Sequence, residues 1–421
     1  MSPPMRFLMA PLGTAGDVHP FLAIGKRLQQ RGHHVTIITH HHFIPLVQEH
    51  GFEAVDLQDE PAYSQTHNNP DLWHPRRGSQ LGARFFLRHT MRACYQAFVE
   101  RFVPGETIIV SNHSGFGGRL AHEHRGVPYV SVYTSPAYTI SVVRPHRYGF
   151  WSPSTKTPFW FRRAYFWIGE RLVVDAILGP EINRFRRELG LTPIRNLLRW
   201  LMSPELIIGL FPRWFAEPRP EDWPSHLIET EFPLYDDPRA SQLHETVEEF
   251  LAKGEPPIVF TPGTGVVQSR SFFEAAIDAC ISLDRRGIFL TRASDQIPKP
   301  LPPMIRHFTY IPLRAILSRA SAIVYHGGIG TLAQGLRAGI PHVVMPMAHD
   351  QPDNGHRLER LGVGRVIWPR RFSGPNLAVA LESLLTDSRV AQRCRELAAR
   401  IPADSVGPTV EALEKFAAAS R

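Results

Sequence analysis

The chain has 421 residues, a net charge of +8 and a sequence pI near 9.6. It is too long for one ordinary core, and its 43% apolar and 20% charged residues are those of a globular protein rather than a disordered or membrane-embedded one. No run of about 18 apolar residues occurs, and the three cysteines (Cys94, Cys280, Cys394) are in no metal-ligand spacing, so the expectation is a protein of a reducing compartment, cytoplasmic, with or without peripheral contact at the inner face of the membrane. The basic balance suits acidic ligands or anionic surfaces, but no nucleic-acid-binding motif accompanies it.

In chain order, Phe7–Pro11 reads as a short buried strand, followed by a Gly-containing loop and a helix from Pro20 to Arg31. That helix carries Phe21, Leu22, Ile24 and Leu28 on one stripe and stops at Gly32. Strands are expected at Val35–Thr39, Glu53–Leu57, Thr107–Val110, Tyr129–Val132 and Leu206–Phe211, with a helix at Phe43–His50. The His40–His42 run reads as a polar strand end. From Tyr138 to Trp200 the rhythm breaks into an aromatic and arginine-rich stretch, expected as a loop and one or two helices that shape an acceptor pocket or pack ordinarily. YDDPRASQ, from Tyr235, reads as a linker. A second alternating run follows, with strands at Pro257–Thr261, Gly287–Thr291, Ala322–Tyr325 and His342–Met345 and helices at Phe272–Leu283, Gly330–Ala338 and Asp353–Leu361. The division expected is a first domain over 1–235, a linker at 236–242, a second domain over 243–400 and a helical tail at 401–421. Alternating strands and helices predict parallel sheets covered on both faces, with ligands at the carboxyl ends of the strands.

Three motifs lie where such ends fall. GTAGDVHP (Gly13–Pro20) follows the first strand; its glycines permit close approach, and Asp17 either points into a cleft or caps the next helix. HGGIGT (His326–Thr331) joins a strand, a glycine turn and a helix N-terminus, the arrangement that cradles a diphosphate. HDQPDN (His349–Asn354) offers Asp350 and Gln351 as adjacent groups for the neighbouring hydroxyls of a sugar. No Asp-x-Asp pair and no Walker-A sequence is present, so neither a metal nor a cofactor is expected.

Together these motifs resemble the GT-B glycosyltransferases that use nucleoside-diphosphate sugars, over most of the chain. YIPLRAIL (Tyr310–Leu317), HGGIGT and Asp350–Gln351 follow that family's order. GTAGDVHPF, FPRWFAEPRPEDWP and HDQPDN look like the rhamnosyltransferases that glycosylate hydroxyacyl lipids. The resemblance implies an α/β, GT-B fold: two Rossmann-like doubly wound domains facing each other across a cleft. It implies that His326, Gly328, Gly330 and Thr331 hold the diphosphate, with Gly263, Thr264 and Gly16 approaching the donor. Asp350 and Gln351 would take sugar hydroxyls, while Tyr310, Ile311 and Pro312 face the nucleobase, or Phe308 stacks in place of Tyr310. The implied activity is metal-independent, inverting transfer from dTDP-rhamnose or UDP-glucose to a hydrophobic hydroxyl acceptor such as a hydroxyacyl lipid. Asp17 is the expected base, with His19, two residues on, the alternative. A nucleotide-sugar epimerase and a non-catalytic nucleotide-sugar-binding, membrane-associated protein are the rival readings.

Overall fold

The computed structural model describes residues 4–148, 152–217, 221, 223–235, 244–263 and 269–421. Two parallel sheets organise the chain. In the first half the strands are β1 (Arg6–Ala10), β2 (His34–Thr39), β3 (Glu53–Asp56), β4 (Thr107–Asn112), β5 (Tyr129–Tyr133), β6 (Leu206–Gly209) and β7 (Leu227–Glu229), in the order β3-β2-β1-β4-β5-β6-β7. In the second half β8 (Ile258–Thr261), β9 (Gly287–Leu290), β10 (Ile305–Phe308), β11 (Ala322–Tyr325), β12 (His342–Val344) and β13 (Gly364–Val366) lie in the order β10-β9-β8-β11-β12-β13. The central strands are apolar runs because both faces are covered: Phe7, Met9, Ile108 and Val110 pack on one side of the first sheet, and Leu8, Ala10 and Ile109 on the other.

Strand order reverses between β1 and β4 in the first sheet and between β8 and β11 in the second. At such a switch point neighbouring connections leave in opposite directions and open a crevice beyond the carboxyl ends of the strands. GTAGDVHP follows β1 and HGGIGT follows β11, so each lobe carries one motif at its switch point.

Three edge strands, β7, β10 and β13, were not expected from the sequence. Each is only three or four residues long and pairs on one side, so its hydrophobic signal is short and mixed with polar positions such as Glu229, Arg306 and Arg365. The helix after β1 also begins earlier than Pro20, at Ala15, and runs to Gln30. Pro20 lies inside it; the bond its missing N–H forgoes is to the carbonyl of Gly16, an exposed residue that water reaches. The aromatic stretch forms helices Phe159–Gly169 and Asp175–Glu188 joined by a π-helical turn, then a short helix Leu197–Leu201. The proposed linker 236–242 lies outside the described residues.

The last helix, Gly407–Ala419, returns to the first lobe. Val410, Leu413 and Ala417 join the core formed by β1, β2 and the helix Ala15–Gln30. Glu414 receives Arg31 at 2.6 Å and His33 at 3.1 Å, and Thr409 is bonded to Thr230 at 2.9 Å. The chain thus crosses back over its own lobe boundary. Leu413 is fully buried, so Leu413→Ala is expected to cost about 2–5 kcal/mol and lower the melting temperature of the first lobe. An unchanged thermal unfolding curve would show that this helix adds nothing to the core.

Candidate functional site

Asp17 is the third residue of its helix, not a loop residue. Thr14 is the N-cap, and its backbone N–H and hydroxyl donate to Asp17 Oδ2 at 2.9 and 3.3 Å. Oδ1 has only a long contact from Asn112 Nδ2, 3.4 Å, which leaves it the freer oxygen. The carboxyl is recessed, and burial raises its pKa against the opposing bonds from Thr14 and Asn112. Asp17 therefore takes part in capping its helix from inside the first turn, behind the N-cap Thr14, rather than as the cap of a helix starting near Pro20. Gly13 is what makes this possible, since at φ 138° a Cβ there would stand 2.3 Å from Asp17 Oδ2. The loop is tied from behind by His40, whose Nε2 accepts the Gly13 N–H at 3.0 Å while Nδ1 donates to Asp59 at 2.6 Å. His40 is thus fully buried and structural, a correction to its reading as part of a polar strand end; His41 and His42 are exposed.

His19 does not extend Asp17. Two residues apart on a helix are on different faces, and the His19 ring stacks on Tyr235 with centroids 4.4 Å apart. His113, directly after β4 and given no role from sequence, stacks on Tyr138, the first residue of the aromatic stretch, at 3.7 Å. His113 Nδ1 has no partner, and burial pushes the imidazole down to about 3. Burial raises the Tyr138 hydroxyl well above its ordinary pKa, and the charges of Asp350 and Asp17 raise it further.

Across the cleft, helix Ile329–Ala338 begins at Gly328 with no side-chain cap. The first-turn amides of a helix have no acceptor within it, and a Cβ on Gly330 would meet nothing within 4 Å. His326 stands beside this N-terminus with Nδ1 unpartnered, its imidazole pushed by burial down to about 4 and hence neutral. Its ring is wedged between two glycines: a Cβ on Gly263 or on Gly328 would come within 2.5 Å of it. Thr331 lies in the same first turn, half-buried. Thr264 falls outside the described residues.

Asp350 and Gln351 open the helix after β12. His349, before them, holds φ 59°, a conformation unfavourable for a residue with a Cβ, and bonds Leu72 O at 3.1 Å through Nε2. Asp350 is pushed up to about 6, chiefly by burial and further by the Asp17 charge. Gln351 is buried, with Oε1 accepting from the Met347 and Ala348 amides at 2.9 and 3.2 Å. Its carbonyl is therefore occupied, and its amide N–H groups are what it can offer a ligand. Asn354, in the quoted motif but given no role from sequence, joins these parts. Its Nδ2 donates to Asp350 Oδ2 at 2.7 Å and to Gly327 O at 3.0 Å, and its Oδ1 accepts from Ser135 of the first lobe at 3.1 Å. Next to it, Asp353 accepts from Arg357 (2.7 Å) and the Arg147 amide (2.9 Å), and Arg357 also bonds Phe215 O and Ala216 O.

The nucleobase side is less uniform than expected. Tyr310 is half exposed at the head of helix Leu313–Leu317, with Pro312 as its N-cap, whereas the Ile311 side chain is packed in the core and leaves only its backbone for a ligand. Phe308, the alternative ring, packs against the same core. Gln334 donates to Tyr235 O at 3.2 Å. Gly16, the second residue of its helix, is exposed, and a Cβ there would meet Thr14 Oγ1 at 3.7 Å, an ordinary contact.

Residues 7–143 match the Glycosyltransferase family 28 N-terminal domain, and residues 275–413 match the Erythromycin biosynthesis protein CIII-like C-terminal domain. The chain belongs to the GT-B glycosyltransferases. It is 27% identical to a sterol 3-beta-glucosyltransferase of Komagataella phaffii over 95% of this chain and 33% of that protein. It is 28% identical to the O-mycaminosyltylonolide 6-deoxyallosyltransferase of Streptomyces fradiae over 95% of this chain and 94% of that one. The chain therefore spans a third of the first relative and nearly all of the second. Among solved structures, the glycotransferase of kitacinnamycin superposes with a TM-score of 0.76 at 20% identity, covering 99% of this chain and 100% of that one. A spinosyn rhamnosyltransferase complexed with thymidine diphosphate gives 0.68 at 19% identity, covering 97% and 100%. This glycosyltransferase shares their two-lobed architecture.

Gly263→Ala tests the cradle. The new Cβ, at φ 99°, must displace the His326 ring, and nucleoside diphosphate binding is expected to weaken about tenfold or more, the loss of one charge-assisted bond. Titration calorimetry with dTDP and UDP reads this directly; an unchanged dissociation constant would remove His326 from the diphosphate site.

Proposed function

We propose that this glycosyltransferase moves a sugar from a nucleoside diphosphate to a hydroxyl of a hydrophobic acceptor in a single displacement with inversion and without a metal. One observation carries the reading: a recessed carboxylate, Asp17, with one oxygen held only by the long Asn112 bond, belongs to the lobe that faces an uncapped helix N-terminus and the unpartnered Nδ1 of His326. The acceptor hydroxyl is held at Asp17 Oδ1, which takes its proton as the oxygen attacks the anomeric carbon. The C–O bond to the diphosphate breaks on the opposite face. The leaving anion gains its charge beside the helix amides and the His326 N–H, fixed donors that need no reorganisation. Asp350 and the Gln351 amide orient the sugar hydroxyls, and Tyr310 with the Ile311 backbone and Pro312 borders the base. The stacked rings of His113 and Tyr138, buried between the lobes, suit an apolar acceptor.

For the donor, dTDP-rhamnose is favoured over UDP-glucose. Support comes from the deoxyallosyl activity of the Streptomyces relative and from the thymidine diphosphate in the spinosyn rhamnosyltransferase. A hydroxyacyl lipid is the acceptor of choice on the resemblance of GTAGDVHPF and HDQPDN, and contact with the membrane would give access to it.

The assay combines dTDP-rhamnose or UDP-glucose with hydroxyacyl-lipid and sterol acceptors in EDTA, and product is read by mass spectrometry. Acceptor-dependent product that survives EDTA is expected. Asp17→Asn is expected to lower kcat by about 10²–10⁴-fold with donor binding kept, the usual loss of a general base. Turnover that requires added metal, or conversion of donor with no acceptor, would overturn the reading. The pH profile is a separate check. Asp17 must be ionised to act and its pKa is raised, so kcat/KM falls as pH drops through a value above the ordinary carboxylate pKa of about 3.9. An acid limb at or below that value would show that another group takes the proton.

A further inference from the structure

Seven of the twelve large hydrophobic side chains exposed among the described residues lie between Phe159 and Val173. Trp160 is 70% exposed, Trp167 60% and Leu172 71%, with Ile168 also open. At helical spacing Trp160, Trp167 and Ile168 share the outward side of helix Phe159–Gly169, and Leu172 continues it through the π-helical turn. The inward side is occupied by Arg162, a buried guanidinium that donates to Val142 O at 2.8 Å. Putting an arginine inside and tryptophans outside inverts the ordinary pattern of a water-facing helix. Contiguous apolar surface of this kind marks a contact site.

Charge selects the partner. Exposed Lys156 and Arg163 border the tryptophans. Between residues 153 and 174 the one acid is Glu170, and its Oε1 is buried. Across 152–200 there are nine Lys or Arg against four Asp or Glu, and of these cations Arg162 and Arg186 are buried. A second copy is a poor occupant, because a two-fold dimer sets the same patch against itself and brings these cations together. An anionic lipid surface complements both features: indoles and aliphatic chains enter the headgroup boundary while the cations meet lipid phosphates.

We infer that the outward face of residues 159–173 docks this glycosyltransferase on an anionic lipid surface. The face is one step from the cleft. Arg162 ties the helix to the segment around Val142, and a few residues on His146 and Arg147 meet Asp353, three residues beyond Asp350. An acceptor dissolved in the lipid would enter along this segment. That last step rests on the proposed acceptor class; the docking does not, since it is read with neither donor nor acceptor present.

The test is co-sedimentation of the full chain with vesicles of equimolar phosphatidylglycerol and phosphatidylcholine, against phosphatidylcholine alone. Wild type is expected to bind the anionic vesicles about tenfold or more tightly, with a blue shift of tryptophan emission and release by salt. The pair Trp160→Glu and Trp167→Glu is expected to abolish binding, and the pair Lys156→Glu and Arg163→Glu to remove the preference for anionic lipid. Far-ultraviolet circular dichroism and dTDP binding, unchanged in both pairs, guard against a folding defect. Wild type that stays in the supernatant with anionic vesicles would overturn the inference. So would a solution mass of twice the chain that falls to one chain in the tryptophan pair, which would assign the face to a second copy.

Discussion

Asn354 uses both ends of one carboxamide to hold three parts of the cleft in register. Its nitrogen bonds the Asp350 carboxylate and the Gly327 carbonyl, and its oxygen receives the Ser135 hydroxyl from the other lobe. All of these groups are buried or nearly so, where an unmade hydrogen bond is costly, so the arrangement is held as a unit. The Asp350 carboxylate, the loop of Gly327 and the first lobe are thereby referred to one side chain. Asp353 and Arg357, one turn along, add a second buried link to the first lobe through Arg147, Phe215 and Ala216.

The electrostatics of the cleft follow from this placement. Burial raises both carboxyls, Asp17 and Asp350, and the Asp17 charge raises Asp350 further. On the lobe of Asp350, the helix that starts at Gly328 has no side-chain cap and the His326 imidazole is neutral. Such a wall favours an anion without forming a salt bridge that must later be broken. Packing enforces it: Gly13 makes room for Asp17, Gly263 and Gly328 for His326, and the strained backbone of His349 is held by Leu72. Each glycine here is fixed by a side chain that needs the space a Cβ would fill.

The two parallel sheets and their switch-point loops were legible in the sequence because central strands are continuous apolar runs and the loops after β1 and β11 carry glycine. His326, Asp350 and Gln351 could be picked out because their motifs sit at strand ends. Asp17 was legible as a residue but not as a helix position, since Pro20 hid a helix that begins at Ala15. Edge strands β7, β10 and β13 carry too little pattern to be seen. Asn354, Ser135 and His113 were given no role because their contacts join residues far apart in the chain, as far as 219 positions for Ser135 and Asn354. His40 was misplaced for a similar reason: Asp59, its partner, lies on a different connection.

In the proposed reaction base and leaving group lie on opposite sides of the sugar, with Asp17 on one lobe and the helix of HGGIGT on the other. The anomeric configuration of the first-formed product tests it most directly. The one-bond carbon–hydrogen coupling at the anomeric position, read by nuclear magnetic resonance on product from a donor of known configuration, should show the opposite configuration to the donor. A product that retains the donor's configuration would require a covalent intermediate or a front-face attack, and neither is compatible with the opposed placement of Asp17 and His326.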